Sequence, residues 1–431
     1  MRWMSGPLAV VVAMSAAFVA LPGPAIAGPE SSVPAPKDIA GPQPAGPTPK
    51  DAARPKPSGP APKDAARLAR VWAASPANGT IASNVTYVQG SVYYTEDTWP
   101  LADPRYGERI TRRDAATGRP LPFAAPAGKA LSLADPATDG VRIFTISAYE
   151  NAEPVAHVRA YTLAGRAGWA RRLPGERFLL EIIVAGPIVI AAGELGCDRE
   201  PEAGCERTTV AAWWASSGEP AWQRTVPGGS PQLAVAAGQL TVSTATAPGI
   251  ATLTAVDAST GGEAWVREGL PAGPVAADAG AVYLAAGNLC ALRAKDGSRR
   301  WCVKDRRYHA VTVAGGGLYT VSDAKAAGRD ERVVALTTGG RTRWAAPASP
   351  TGPLTVSNGV VYFQHYPLDG PTGPHPVDRP TRLVALRGNS GAKLAEVPVS
   401  DGYSSGSVAV GGGRVFTSAY LTAVLGYAPK R

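Results

Sequence analysis

Ala255-Val-Asp257-Ala-Ser-Thr260-Gly261-Gly-Glu-Ala-Trp265 is the stretch from which the rest of the chain can be read. An apolar run ends in Asp, a Thr-Gly pair follows, and a Trp stands four residues after the first Gly. Glycine at Gly261 supplies the positive φ that a tight hairpin needs and a β-carbon penalises. The same spacing recurs at Gly165 with Trp169, Gly218 with Trp222, Gly297 with Trp301 and Gly340 with Trp344. Two copies depart from it: Pro122 stands in the Trp position after Gly118, and Leu394 and Ala395 stand there after Gly391.

A second signature, Gly-x-apolar followed by a strand residue, precedes the first. It occurs at Gly90, Gly186, Gly238, Gly280, Gly316, Gly359 and Gly413, with a looser copy at Gly140, a period of about 46 residues. Each unit holds four short strands with a face that it cannot bury alone. Tandem four-stranded units of this length specify a β-propeller. The expected fold is therefore all-β, an eight-bladed propeller of four-stranded blades over 68–431. The last copy stops before any Trp strand, and Leu68–Trp72 is a surplus strand ahead of the first. The N-terminal strand is expected to complete the last blade and close the ring, removing free sheet edges. The Trp residues are expected to fill the wedges between blades.

Composition agrees. The 49 Gly and 41 Pro among 431 residues interrupt helices, while 10 Trp, 14 Tyr and abundant aliphatics can fill a large core. The net charge of +9 is scattered singly or in pairs, such as Arg112-Arg113 and Arg306-Arg307, without the basic stripe that tracks phosphates. Nucleic acid is not an expected partner.

The string at 255–265 resembles the tryptophan-docking motif of quinoprotein-type propellers, and its relatives extend the resemblance over 68–427. The chain is thereby identified as similar to the pyrroloquinoline-quinone-like repeat superfamily, closest to its non-catalytic outer-membrane-assembly-type propellers. That superfamily also holds quinone-dependent dehydrogenases of alcohols and sugars. The resemblance implies that such enzymes carry a ring of adjacent cysteines and a calcium site. This sequence has no Cys-Cys pair and no long catalytic insertion. No catalytic residue, no cofactor and no metal is expected, and a quinone-dependent oxidoreductase acting on alcohols or sugars is the alternative reading.

The N-terminus reads as an export signal: Arg2, an apolar run Leu8–Leu21, and Ala25-Ile26-Ala27 as a small-x-small cleavage site. Residues 1–27 are assigned to the signal peptide and 28–67 to a proline-rich disordered linker. In the linker Pro49-Lys-Asp-Ala-Ala-Arg54 recurs as Pro62–Arg67. No membrane span is expected, and the secreted, extracytoplasmic product is taken as a monomer. In that compartment Cys290 with Cys302, flanking a hairpin turn, and Cys197 with Cys205 read as disulfides. Zinc is the alternative, with no His beside either pair.

Gly402-Tyr-Ser-Ser-Gly406 fits a nucleophile elbow in letters only, since a strand follows and no His lies beyond His375. Function is read instead from loop length. The second-to-third-strand loops Thr95–Arg109, Ala148–Val158, Ala192–Arg207, Ser322–Glu331 and Gln364–Thr381 are long and unalike. They share a face with the inter-blade loops, while the opposite face carries tight Gly turns. Elongated loops on one face of a rigid ring are where binding is built. The candidate binding residues there are Trp99, Tyr106, Tyr149, Tyr308, His309, His365, Tyr366 and Tyr403. The expected partner is an extracellular protein or a cell-wall glycan, bound by a cell-envelope scaffold.

Overall fold

Along Ile188–Cys197 every position from Ile188 to Ala192 is buried. Ile188, Ile190 and Ala192 pack with Leu240 and Val242 of the following repeat, while Val189 and Ala191 pack with Phe144 and Ile146 of the preceding one. Successive strand side chains point to opposite faces, so an unbroken apolar run is what a strand needs when neighbours cover both its faces. The alternation is the core: each repeat shares one half with the unit before it and the other half with the unit after it.

The computed structural model describes residues 59–76, 80–81, 84–98, 107–123, 130–132, 135–149, 156–173, 177–197, 205–323, 331–366, 380–400, 406–419 and 422–430. Apart from one helical turn, Pro62–Ala65, the regular elements are strands. They form seven antiparallel sheets, of which the plainest is the meander Gly229–Ala236, Gln239–Ala247, Ile250–Asp257 and Glu263–Pro271. One sheet has six strands and joins two repeats. Within it the segment Ala281–Arg293 doubles back at Gly287, because the Ala294 amide reaches the Gly280 carbonyl across its ends at 3.2 Å. The equivalent bond in the preceding repeat runs from Ala258 to Gly238 at 2.8 Å.

The first strands of successive repeats lie against one another. Gly229–Ala236 contacts both Arg177–Ala185 and Val275–Ala277, and Thr86–Val88 contacts both Ala137–Thr138 and Val408–Gly411. Threonine hydroxyls stitch some of these neighbours. Thr86 donates to the Pro136 carbonyl at 2.6 Å, Thr312 to Leu354 at 3.0 Å and Thr355 to Val408 at 2.6 Å. Each of these threonines stands four residues before its repeat's Gly.

Tryptophan makes the second set of links. Trp72, Trp169, Trp222, Trp265, Trp301 and Trp344 lie over Gly118, Gly218, Gly261, Gly297, Gly340 and Gly391, the turn glycines of the next repeat. A Cβ on any of those glycines would come within 2.4–2.9 Å of an indole carbon. Each indole Nε1 donates to a carbonyl of the same turn, at 2.6–3.1 Å, from Trp72 to Ala115 through Trp344 to Gly388. Three of them are reinforced two residues on: Arg171, Arg224 and Arg267 donate to the carbonyls of Gly218, Gly261 and Gly297 at 2.7–3.1 Å.

Where the Trp is missing, other groups take its place. After Gly118 the ring is Phe123, which packs on Tyr93 and Tyr161. The lost indole bond is replaced by the Tyr93 hydroxyl, which donates to the Leu163 carbonyl of the next turn at 2.7 Å. At Leu394 and Ala395 the gap is filled from the N-terminus, where Ala65 is fully buried and packs in the same cluster. The expectation that 28–67 has nothing to pack is thus corrected for 59–67. The Gly59 amide donates to Ser357 Oγ at 3.0 Å, Tyr362 to the Pro60 carbonyl at 3.2 Å, and Lys430 to the Arg67 carbonyl at 2.8 Å. Residues 1–58, which include the expected signal and the rest of the linker, lie outside the described residues. The strand Leu68–Ala74 then pairs with Ala423–Pro429, carrying Trp72 onto Gly118.

The docked turn gives a direct test. Gly261 and Gly238 have similar positive φ values, 70° and 79°, but only Gly261 lies under an indole, with nothing within 4 Å of a Cβ built on Gly238. Gly238→Ala is expected to cost about 1 kcal/mol, and Gly261→Ala about 2–4 kcal/mol because overpacking adds to backbone strain. Denaturant unfolding of the two variants measures the difference; equal losses would remove the docking role of Trp222.

Candidate binding face

The second-to-third connections differ in length once the strands are in place. Strand pairing reaches Thr98 with Gly107 and Cys197 with Cys205, so these strands run further into the expected loops than the sequence suggests. In the Gly238 repeat the connection shrinks to a turn between Ala247 and Ile250, and in the Gly280 repeat to the fold at Gly287. Longer segments separate Tyr149 from Ala156, Asp323 from Arg332 and Tyr366 from Thr381.

Of the expected binding residues, Trp99, Tyr106 and Tyr403 lie outside the described residues. Tyr149 ends the strand Arg142–Tyr149, opposite Ala130. Tyr308 is 1% exposed, packed among Tyr283, Leu289 and Leu318, with its hydroxyl donating to Asp305 at 2.7 Å. It serves the core and offers a partner no surface. His365 is also largely buried, with Nε2 3.4 Å from Glu396. Burial lowers its pKa against the opposing pull of Glu396, so the ring is neutral at pH 7.

His309 and Tyr366 are brought into one line that the sequence did not disclose. His309 Nε2 stands 3.9 Å from Glu331, the Ser349 hydroxyl donates to the other Glu331 oxygen, and Ser349 pairs with Tyr366 in the ladder. Glu331 and Ser349 gave no sequence signal, because their proximity comes from two repeats meeting. On the cysteines, Cys290 and Cys302 are joined by a disulfide with Cα atoms 4.1 Å apart. Cys205 is disulfide-bonded and stands opposite Cys197 in the ladder.

Polar groups that sequence reasoning also missed, most of them acidic, bond the backbone of neighbouring repeats. Asp135 accepts from the Asn84 amide at 2.9 Å, and Asn84 in turn accepts from the Ser407 amide at 2.8 Å. Glu181 accepts from the Leu233 amide at 2.5 Å and Glu194 from the Ser230 amide at 2.5 Å. These carboxylates are engaged in joining neighbouring strands. Among the described residues no three His, Cys, Asp or Glu side chains converge as metal ligands. A quinone with its calcium ion needs carboxylates free to converge; Asp135, Glu181 and Glu194 are instead engaged by backbone amides, so these described residues do not fit the group, and no step is derived through it. Burial raises the Glu181 pKa to about 7, against the Leu233 N–H, with the Asp135 charge adding to the rise.

The sequence matches the family described as outer membrane protein assembly factor BamB over residues 154–303 and 251–428. Among solved structures, BamB from Moraxella catarrhalis is similar over 84% of this chain and 97% of its own, at 14% identity and a TM-score of 0.54. The quinohemoprotein alcohol dehydrogenase of Comamonas testosteroni is similar over 85% of this chain and 77% of its own, at 14% identity and a TM-score of 0.59. The computationally designed protein Ika8 matches 83% of this chain with 99% of its own, at 13% identity and a TM-score of 0.56. At such identities the likeness shows the fold alone, an all-β propeller. No curated protein matches the sequence. Among the described residues no helix is long and apolar enough to cross a membrane.

Glu181 makes stability depend on pH with a definite sign. Its folded pKa of about 7 lies above the ordinary 4.5, so the folded state holds the proton more tightly between those values. The stabilisation is full below about pH 4.5 and is lost as pH rises to about 7, by up to about 3 kcal/mol. Glu181→Gln keeps an acceptor for the Leu233 amide and removes the titration. Its melting temperature is expected to fall less than the parent's between pH 5 and pH 8; parallel curves would show that Glu181 does not titrate in that range.

Proposed function

The chain belongs to the family of BamB-like propellers, and from that premise we propose that it is an exported, non-catalytic scaffold at the cell envelope. It binds a protein, with a cell-wall glycan as the second possibility, through one face of an eight-bladed ring. The observation that carries the reading is the inequality of the connections. They are long after Thr98, Tyr149, Cys197, Asp323 and Tyr366, and are pared to turns at Ala247–Ile250 and Gly287. A ring that only needed to be stable would keep all of them short. The described disulfides favour an oxidising compartment.

Ring closure by the N-terminal strand is part of the proposal. It is supported by Trp72, which takes on Gly118 the same position that the later Trp residues take on their own glycines. Trp72→Ala is expected to destabilise the protein by about 3–5 kcal/mol and to promote aggregation through an opened edge. A variant that melts like the parent would overturn the closure.

The competing function is a quinone-dependent oxidoreductase, the class to which the Comamonas enzyme of similar fold belongs. Supplying the quinone with calcium and following dye-linked oxidation of alcohols and sugars separates the two; turnover would displace the scaffold reading. The scaffold itself is tested with photo-crosslinking residues at His309, Tyr366, Trp99 and Tyr403, and at Asp257 and Lys295 on the opposite turns. Adducts to one envelope partner are expected from the first group only. Adducts confined to Asp257 and Lys295 would place the binding face on the other side.

A further inference from the structure

Between the outer strand Glu263–Pro271 and the face of the Gly280 repeat lies an open cleft of about 440 Å³. Its two walls are pinned together at both ends. At one end Trp265 lies on Gly297 and donates to the Ala294 carbonyl at 2.6 Å, and Arg267 holds the Asp296 and Gly297 carbonyls at 2.7 and 3.1 Å. At the other end the chain leaving Pro271 joins the Gly280 repeat directly: Gly273 lies so close to the Ala285 carbonyl that a Cβ there would stand 2.3 Å from it, and the Ala285 amide bonds Pro274 at 3.0 Å, continuing the ladder of Val275–Ala277. The walls do not meet between the pins. The chain folds back at Gly287 instead of extending into a longer loop, and Ala286 fills little of the wedge.

The lining is two-sided in chemistry. Leu270, Leu284, Ala286 and Leu292 give an apolar floor, and the Cys290–Cys302 disulfide stiffens the wall behind them. The charged residues of the lining are all cationic: Arg267, Arg299 and Lys304. Arg267 is committed to backbone carbonyls, whereas Arg299 and Lys304 are exposed and make no ion pair among the described residues. The carboxylate beside the mouth, Asp296, is engaged by the Ser298 amide at 2.8 Å. An apolar slot bordered by unpaired cations, Arg299 near the Gly297 turn and Lys304 five residues along the same strand, complements an apolar chain ending in an anion. The volume lies within the ~300–1,000 Å³ of small-molecule sites, and walls fixed at both ends need no ordering on binding.

We propose that this cleft is a binding site for a single-chain amphiphile with an anionic head, the chain lying on Leu270, Leu284 and Leu292 and the head at one of the two cations that border it, Arg299 or Lys304. The site is separate from the elongated loops, so it stands or falls independently of the scaffold reading.

Calorimetric titration of the full chain with decanoate, below its micelle concentration, tests it. Decyl phosphate distinguishes a phosphate from a carboxylate head, decyl maltoside supplies the chain without charge, and inorganic phosphate supplies the charge without a chain. One site per protein is expected for decanoate or decyl phosphate, with the neutral amphiphile and free phosphate at least tenfold weaker. Arg299→Glu with Lys304→Glu should weaken the anionic amphiphile at least tenfold, and Ala286→Phe, which fills the slot, should abolish binding. Melting temperatures of both variants check that the fold is kept, and the charge pair, being on the surface, serves if the slot variant is unstable. Equal binding of decyl maltoside, several equivalents bound, or indifference to the charge reversal would overturn the site.

Discussion

An indole lying on a glycine of the next repeat is the contact on which the rest of this structure depends. It combines three requirements at one point: a turn with positive φ, the absence of a β-carbon, and a carbonyl facing the indole N–H. Trp222 on Gly261 satisfies all three, with the Ala258 carbonyl 3.0 Å from the indole nitrogen. The Trp belongs to one repeat and the turn to its neighbour, so neither buries its apolar face alone. Stability in such an array resides in the interfaces between neighbours as much as in the units. Asp257 prepares the turn from within, accepting from the Ser259 and Thr260 amides at 2.9 Å. The Ser259 hydroxyl bond is the largest influence holding its carboxyl below the usual range.

The two departures from the pattern show what the interface demands. Tyr93 arrives from a different strand yet delivers an O–H to the Leu163 carbonyl, with Phe123 supplying the ring. At the far end neither is available, and the N-terminal segment packs Ala65 into the gap beside Leu394 and Ala395. Filled space and a donor for the turn carbonyl are thus the interchangeable quantities, and Trp is the residue that provides both at once. The proline-rich hexapeptide at 62–67 illustrates the same point. Its sequence is that of 49–54, but it sits next to Leu68–Ala74 and is drawn into the fold by that strand's pairing.

Between the first strands of neighbouring repeats the linking chemistry is polar. Threonine hydroxyls and carboxylates reach backbone groups of the adjacent repeat, satisfying donors and acceptors that a short inner strand leaves unpaired. Placing Glu181 there has an electrostatic cost, which appears as its raised pKa. The indole contacts join the same neighbours at their turn glycines. Where a repeat has a short connection and small residues, as at Ala286 and Gly287, the wedge stays open as a cleft.

The sequence alone determined the all-β character, the repeat, the turn glycines, the Trp in the wedge and the pairing of Cys290 with Cys302. Each is local or periodic, with partners at fixed separations that spacing can disclose. Only the tertiary structure decided which repeat each Trp serves, that Arg171, Arg224 and Arg267 clamp the docked turns, and that Tyr93 stands in for a Trp. It also turned Tyr308 inward, paired His365 with Glu396, and joined His309 to Tyr366 through Glu331 and Ser349. An aromatic residue in an apparent loop reads the same whether it faces solvent or a neighbouring sheet. Its direction is set by strand register and by the packing of a second repeat, and neither is written in the residues around it.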